Sequence, residues 1–290
     1  MSQTFKLLSH AIWQVFGNFP NAFKITALPF LIFCAPIFSL RTALKYSFEK
    51  HRKSTEADPF SSVLLIKQQA QQFAEQTSFY LWLSIPGILV TIAVAFWVIV
   101  SWHRFILLED STHFLLPKFH GRQILSYMWR VILIVLLFIP IYLAYLALAL
   151  IFVDVSQFNF TALSLLAFAS TCIYYVLLYR LSPILPAAAL GNKLSFGEAI
   201  KATKGTTFSF VVLGFSLAIL SILFSFAELL FIHSPTVIAI GVQILFAWLI
   251  FIINLSIITT IYGHYVEGRP LRSAFHPCLR RNLAPQQKDE

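Results

Sequence analysis

Ionisable and amide side chains are rare in this chain, so those set inside apolar runs are the first candidates for chemistry. Glu228 is an acid well within such a run, about one turn from its end and close to His233. A charged group at the centre of a membrane helix costs roughly 2.5–3.5 kcal/mol, so it either relays a proton or cation or reaches toward the headgroups. The shallow position of Glu228 favours the headgroups or a pairing with His233. Gln243 and Asn254 follow in the next run, eleven residues apart and near one helical face. Interhelical hydrogen bonds, worth about 0.6 kcal/mol each, account for such amides. Taken together, Glu228, Gln243 and Asn254 outline a polar path on one hairpin.

Two richer sets fail on spacing. His103, Arg104, Glu109, Asp110, His113 and His120 fall in one loop, and imidazole and carboxylate both ligate metals. Neither His-x-x-x-His nor Cys-x-x-Cys occurs there, so a solvated loop against the headgroups is expected rather than a metal site. Gly214-Phe215-Ser216-Leu217 with His264 offers the nucleophile and base of an intramembrane serine protease. No oxyanion donor is indicated, His264 falls at a helix end, and small residues in membrane helices ordinarily serve close packing. There is no His-Glu-x-x-His, Walker lysine loop or dinucleotide glycine fingerprint. The expectation is a non-enzymatic protein with no cofactor.

The remaining candidates are cations. Arg104, Arg122, Arg180, Lys193, Lys201, Lys204 and Arg269 sit near glycine turns and interfacial aromatics. There they could recognise anionic lipid at about 1 kcal/mol per side chain near the surface.

The elements that must position these residues follow from composition. Hydrophobic residues make up 58% of 290 positions and charged residues 11%, too few charges to face water all round. Lipid is therefore the solvent for much of the chain, and the 30 Phe residues agree with that. In this setting the net charge of +9 orients helices and touches headgroups; no nucleic-acid partner is expected. Cys34 and Cys172 lie in apolar runs and Cys278 in a basic tail, which excludes a disulfide framework. The first apolar run lacks a small-x-small cleavage site and is expected to stay in the mature protein.

Six segments are long and apolar enough to span a bilayer: 25–44, 79–102, 131–153, 161–179, 208–232 and 237–262. Pro29 and Pro36 should kink the first and Pro140 the third. Short turns at 154–160 and 233–236 make tight antiparallel hairpins. Of the Lys and Arg residues, 15 fall on the side of the termini and 6 on the other, all six in the loop 41–78. The positive-inside rule then places both termini in the cytoplasm. Residues 1–268 form one transmembrane domain, 41–78 an external polar loop with a short helix over 60–76, and 269–290 a basic tail.

An internal pattern recurs three times. Trp102-His103-Arg104, Tyr179-Arg180 and Tyr262-Gly263-His264-Tyr265 each end an apolar run. Gly121, Gly191 and Gly268 follow, each beside a base and an aliphatic residue. Ser195-Phe196-Gly197-Glu198 has the form of a capping box opening a short helix. Phe5, Leu8, Ile12 and Phe16 have the spacing of an interfacial helix ahead of the first hairpin. Three units are expected, each an amphipathic helix followed by a membrane hairpin.

The phrase from Leu194 to Gly205, Leu-Ser-Phe-Gly-Glu-Ala-Ile-Lys-Ala-Thr-Lys-Gly, resembles the segment linking hairpins in a bacterial membrane-protein group. That group includes the membrane domain attached to some glycerophosphodiester phosphodiesterases and stand-alone six-helix proteins. The resemblance implies an all-α, polytopic helical bundle in the bacterial inner membrane, and it carries over no catalytic residue. A lipid-associated scaffold in envelope homeostasis is the function expected, with membrane phospholipids and a further membrane protein as candidate partners. A small transporter or channel on the last hairpin is the alternative.

Overall fold

The computed structural model describes residues 3–27, 29–31, 63–109, 117–152, 160–231 and 236–271. Among them every regular element is helical. The order is α1 (Gln3–Phe16), a single turn α2 (Phe19–Ala22) running into a π-helical turn (Phe23–Ala27), α3 (Val63–Leu108) and α4 (Gly121–Phe152). Then come α5 (Phe160–Leu181), α6 (Ile184–Leu190), α7 (Phe196–Ala202), α8 (Thr207–Leu229) and α9 (Thr236–Tyr265). Among the described residues five stretches of 23 to 30 residues are long and apolar enough to cross a membrane: 85–108, 121–150, 163–190, 207–229 and 238–265. At 1.5 Å per residue each exceeds the roughly 30 Å hydrocarbon core. The expected first span, 25–44, lies largely outside the described residues, as do residues 41–62 of the loop and the tail beyond 271.

Helix boundaries differ from the sequence expectation where no breaker stands. Residues 63–78, expected as a polar loop with a separate short helix over 60–76, are helical and continuous with the following span in α3. Between Val63 and Ile85 there is neither Pro nor Gly, and Leu, Gln, Ala and Lys all favour helix, so nothing ends it. Similarly α4 starts at Gly121, ten residues before the expected span, and continues through Pro140. His103 and Arg104, expected in a loop, are therefore inside α3.

Helix α9 is the centre of the bundle. Half of its spanning stretch is buried, against 6% for α4, whose apolar side chains face outward. The main core gathers Ile252, Ile257 and Ile261 of α9 with Trp102, Tyr179, Phe210 and Leu213 from α3, α5 and α8, and with Ala11 and Val15 of α1. Small α6 is wedged beside this core. Its Ala187 packs with Leu107 and Tyr262, and Ala188 and Ala189 pack with Val100 and Tyr127. Only small residues allow backbones to approach so closely.

Helix α1 lies along α9 and α8. Thr4, Leu7, Ala11 and Val15 face the bundle and are buried. At 100° per residue, Phe5, Ile12 and Phe16 form one flank and Gln3, Lys6 and His10 the other. Phe5 and Phe16 are about half exposed. One flank is thus apolar and the other polar over its first two turns, with the half-exposed Trp13 beyond Lys6 and His10, the arrangement of a helix held at a membrane surface.

Candidate functional site

Polar side chains inside an apolar bundle need partners, and among the described residues one set of them meets at one end of the molecule. Arg104 Nη1 donates to the Ala189 carbonyl at 3.4 Å, in the last turn of α6. Arg269 Nη2 donates to the Leu107 carbonyl at 2.8 Å, in the last turn of α3. Carbonyls in a final helical turn lack intrahelical donors and carry the negative end of the helix dipole, so a guanidinium suits them on both counts. Arg180 Nη2 donates to Thr207 Oγ1 at 2.7 Å, and Asn192 Nδ2 to Tyr262 Oη at 3.3 Å. Three of the seven cations expected to touch anionic lipid are thus joined to neighbouring helix ends, and Arg269 also pairs with Glu267 at 2.6 Å. Arg122, Lys193, Lys201 and Lys204 are exposed at the same end.

The turns that set this end depend on glycines at positive φ, Gly191, Gly205 and Gly268, of which the first and last place partners named above. Gly191, at φ +86°, closes α6, with Gly191 N–H and Asn192 N–H donating to Ala188 and Ala187 carbonyls. Gly268, at φ +69°, turns the chain after α9 so that Arg269 reaches back. Such angles strain any residue with a Cβ. Gly121 takes no such angle and opens α4 instead.

The Ser195 capping box forms at the start of α7. Ser195 Oγ accepts from the Glu198 N–H, and Glu198 accepts from the Ser195 N–H at 2.8 Å. Hydrogen bonds from the Ser195 backbone, then its hydroxyl, hold the Glu198 carboxyl below the usual carboxylate range, and Lys201 adds to this. A carboxyl lowered in the folded state stabilises it above the ordinary carboxylate pKa, and that contribution is lost as pH falls through the lowered value. Ser195→Ala removes the hydroxyl that accepts from the Glu198 N–H and should cost about 1 kcal/mol of α7 stability. Amide exchange across 196–202 should show the gap between wild type and variant narrowing in acid without closing, because Ser195 Oγ still accepts from the Glu198 N–H there.

Along α9 runs a second set of polar contacts that local sequence did not reveal. Trp248 Nε1 donates to Thr26 Oγ1 at 2.8 Å in the π-helical turn. Trp102 Nε1 donates to Ser256 Oγ at 3.1 Å, and Thr260 pairs with Gln14 of α1 at 3.3 Å. His103 Nδ1 lies 2.7 Å from Thr259 Oγ1, whose own proton is given to the Leu255 carbonyl. That direction fixes the proton on Nδ1 and leaves Nε2 as an acceptor. His103 is fully buried, its ring stacked 5.8 Å from Tyr127, and Nε2 has no hydrogen-bond partner among the described residues. An orphaned buried acceptor costs about 1–3 kcal/mol, more than the roughly 0.6 kcal/mol of an interhelical bond. His103→Leu is expected to raise stability by about 1 kcal/mol in detergent unfolding, whereas a fall would show that Nε2 is satisfied.

The polar-path residues are only partly brought together. Gln243 Nε2 approaches Glu228 Oε2 at 3.5 Å, a long contact across the α8–α9 hairpin. Asn254 instead donates to its own helix, at the Ile250 carbonyl 2.9 Å away. It stands eleven residues, about 16 Å, further along α9 than Gln243. His233 lies outside the described residues. Ser216 donates to the Val212 carbonyl at 2.8 Å and His264 Nδ1 faces the Arg269 carbonyl at 3.0 Å. Neither is arranged as nucleophile or base toward the other. Gly214 serves packing, with Tyr175 of α5 directly against its Cα. Among the described residues no three His, Cys, Asp or Glu side chains gather as metal ligands, and Asp110 and His113 fall outside them.

Fold and site define an integral membrane helical protein of multi-pass topology. No family model, curated protein or solved structure matches the chain.

Proposed function

We propose that this is a non-enzymatic, lipid-associated scaffold of the bacterial inner membrane, with both termini cytoplasmic and a role in envelope homeostasis. The observation that carries the reading is the placement of α1. Its buried face is docked on α8 and α9, its Phe5 and Phe16 are exposed on one flank, and its first turn borders His264 at the end where Arg122, Lys193, Lys201 and Lys204 stand exposed. An apolar flank at the rim of a basic surface is the combination that holds anionic lipid by both chains and headgroup. The interior polar groups of this end bind helices to one another, which suits a rigid scaffold more than a conduit. The plan of hairpins joined by the Leu194–Gly205 phrase is also that of the bacterial group it resembles.

Native mass spectrometry of the full chain released from nanodiscs tests the proposal. A stoichiometric anionic phospholipid or a retained membrane protein is the expected result, and a chain shedding only bulk zwitterionic lipid would refute it. A small transporter or channel is the second reading, favoured by the Glu228–Gln243 contact. It requires that Glu228→Gln abolish a cation or proton flux measurable in liposomes.

A further inference from the structure

At the basic end, the first turn of α1 and the last turn of α9 wall a groove of about 400 Å3, lined by Gln3, Lys6, His264 and Leu271. Its walls are fixed to each other. Leu7, Ala11 and Val15 are buried against the bundle, and Gln14 pairs with Thr260 four residues before His264. A ligand entering the groove has little protein to order, which favours binding.

The chemistry of the lining is asymmetric. Lys6 is exposed on the polar flank of α1 and has no ion-pair partner among the described residues. The neighbouring Arg269 and Glu267 pair with each other, so their charges largely cancel and among the described residues Lys6 sets the sign. His264 Nδ1 faces the Arg269 carbonyl at 3.0 Å; a carbonyl only accepts, so Nδ1 carries a proton, and in the neutral ring Nε2 is left as an acceptor. The groove thus offers an ammonium and an amide to an anion and an imidazole nitrogen to a hydroxyl. Across the same turn of α1, Phe5 is half exposed on the apolar flank, which sets the groove at the depth of lipid phosphates.

We infer that this groove binds a hydroxyl-bearing phosphate ester, and that its source is an anionic lipid headgroup such as phosphatidylglycerol. Lys6 and Gln3 take the phosphate oxygens, His264 Nε2 accepts from the headgroup hydroxyl, and Leu271 covers the glycerol carbons. The inference rests on the lipid-associated reading for its choice of source.

The full chain in phosphatidylcholine nanodiscs doped with phosphatidylglycerol is compared by native mass spectrometry with Lys6→Gln, His264→Phe and Lys24→Gln. Lys6→Gln should cut retained phosphatidylglycerol about fivefold and His264→Phe should reduce it about twofold to threefold. Lys24→Gln, an exposed cation outside the groove, should leave it unchanged. Circular dichroism checks that each variant is folded. If the wild type retains phosphatidylglycerol and Lys6→Gln retains as much, the groove is not the site, although the lipid-associated reading stands. If the wild type retains none, that reading fails, and glycerol 3-phosphate is added to phosphatidylcholine-only nanodiscs. Lys6-dependent broadening of its phosphorus resonance would then assign the groove to a soluble ester, and no broadening would overturn the site altogether.

Discussion

Trp102→Ala is expected to lower the unfolding free energy by about 3 kcal/mol, the largest loss from any single truncation in the bundle. Trp102 is wholly buried within the main core, between α9 and the helices that surround it. Its ring packs with Phe105 at 5.8 Å, and Nε1 donates to Ser256 Oγ, which passes its own proton to the Ile252 carbonyl. Large-to-small replacement of a buried tryptophan costs about 3–5 kcal/mol through lost contacts and the cavity left behind. The low end applies here because hydrophobic transfer contributes little between helices already in lipid, whereas lost packing contributes fully. Trp102→Phe keeps most of the volume and gives up the bond to Ser256, so it should cost about 1 kcal/mol. Reversible unfolding in mixed micelles measures both. Equal losses for the two variants would mean that the hydrogen bond, and not the ring, holds the site.

Gly214→Ala carries a test of sign. Alanine is the better helix former, so in a loosely packed helix the change would stabilise by roughly 0.5–1 kcal/mol. In this bundle a Cβ on residue 214 falls on the base of the Tyr175 ring, at separations that real Cβ atoms do not show. Tyr175 has little freedom to swing away, being stacked on Tyr179 at 6.3 Å and set edge-on to Phe215 at 5.8 Å. Helices α5 and α8 must separate, and overpacking of this kind typically costs about 1–3 kcal/mol. The expected result is a net loss of about 2 kcal/mol. Tyr175→Ala should remove most of that penalty, so the double variant should be distinctly less than additive. A stabilised Gly214→Ala would show that the two helices are not in contact there.

What the sequence made legible was local. The capping box of α7 needs only residues 195 to 198, and the turn at Gly191 only the end of one helix, so both could be read from spacing. The stripe Phe5, Leu8, Ile12 and Phe16 identified α1 as amphipathic. The bundle-facing stripe Thr4, Leu7, Ala11 and Val15 was missed because small residues and a threonine do not stand out among apolar neighbours. The aromatic residues ending the expected spans read as interfacial, yet Trp102, Tyr179 and Tyr262 are buried. Their partners, such as Ser256 and Asn192, stand far away along the chain, and no local pattern pairs them. The same distance hid the bonds from Arg104 to the end of α6 and from Arg269 to the end of α3. Helix α6 was missed because Pro183 and Pro186 suggest a break, while its alanines fit a wedge between larger helices.

Depth measurement on α1 by site-directed spin labelling tests the central claim most directly. Labels at Phe16→Cys and Lys6→Cys are read in anionic nanodiscs for collision with oxygen and with a water-soluble nickel chelate. The account predicts that the label at 16 collides mainly with oxygen and sits below the phosphates, while the label at 6 collides mainly with nickel. Equal, water-like accessibility at both positions would place α1 away from the membrane surface and contradict a lipid-associated scaffold.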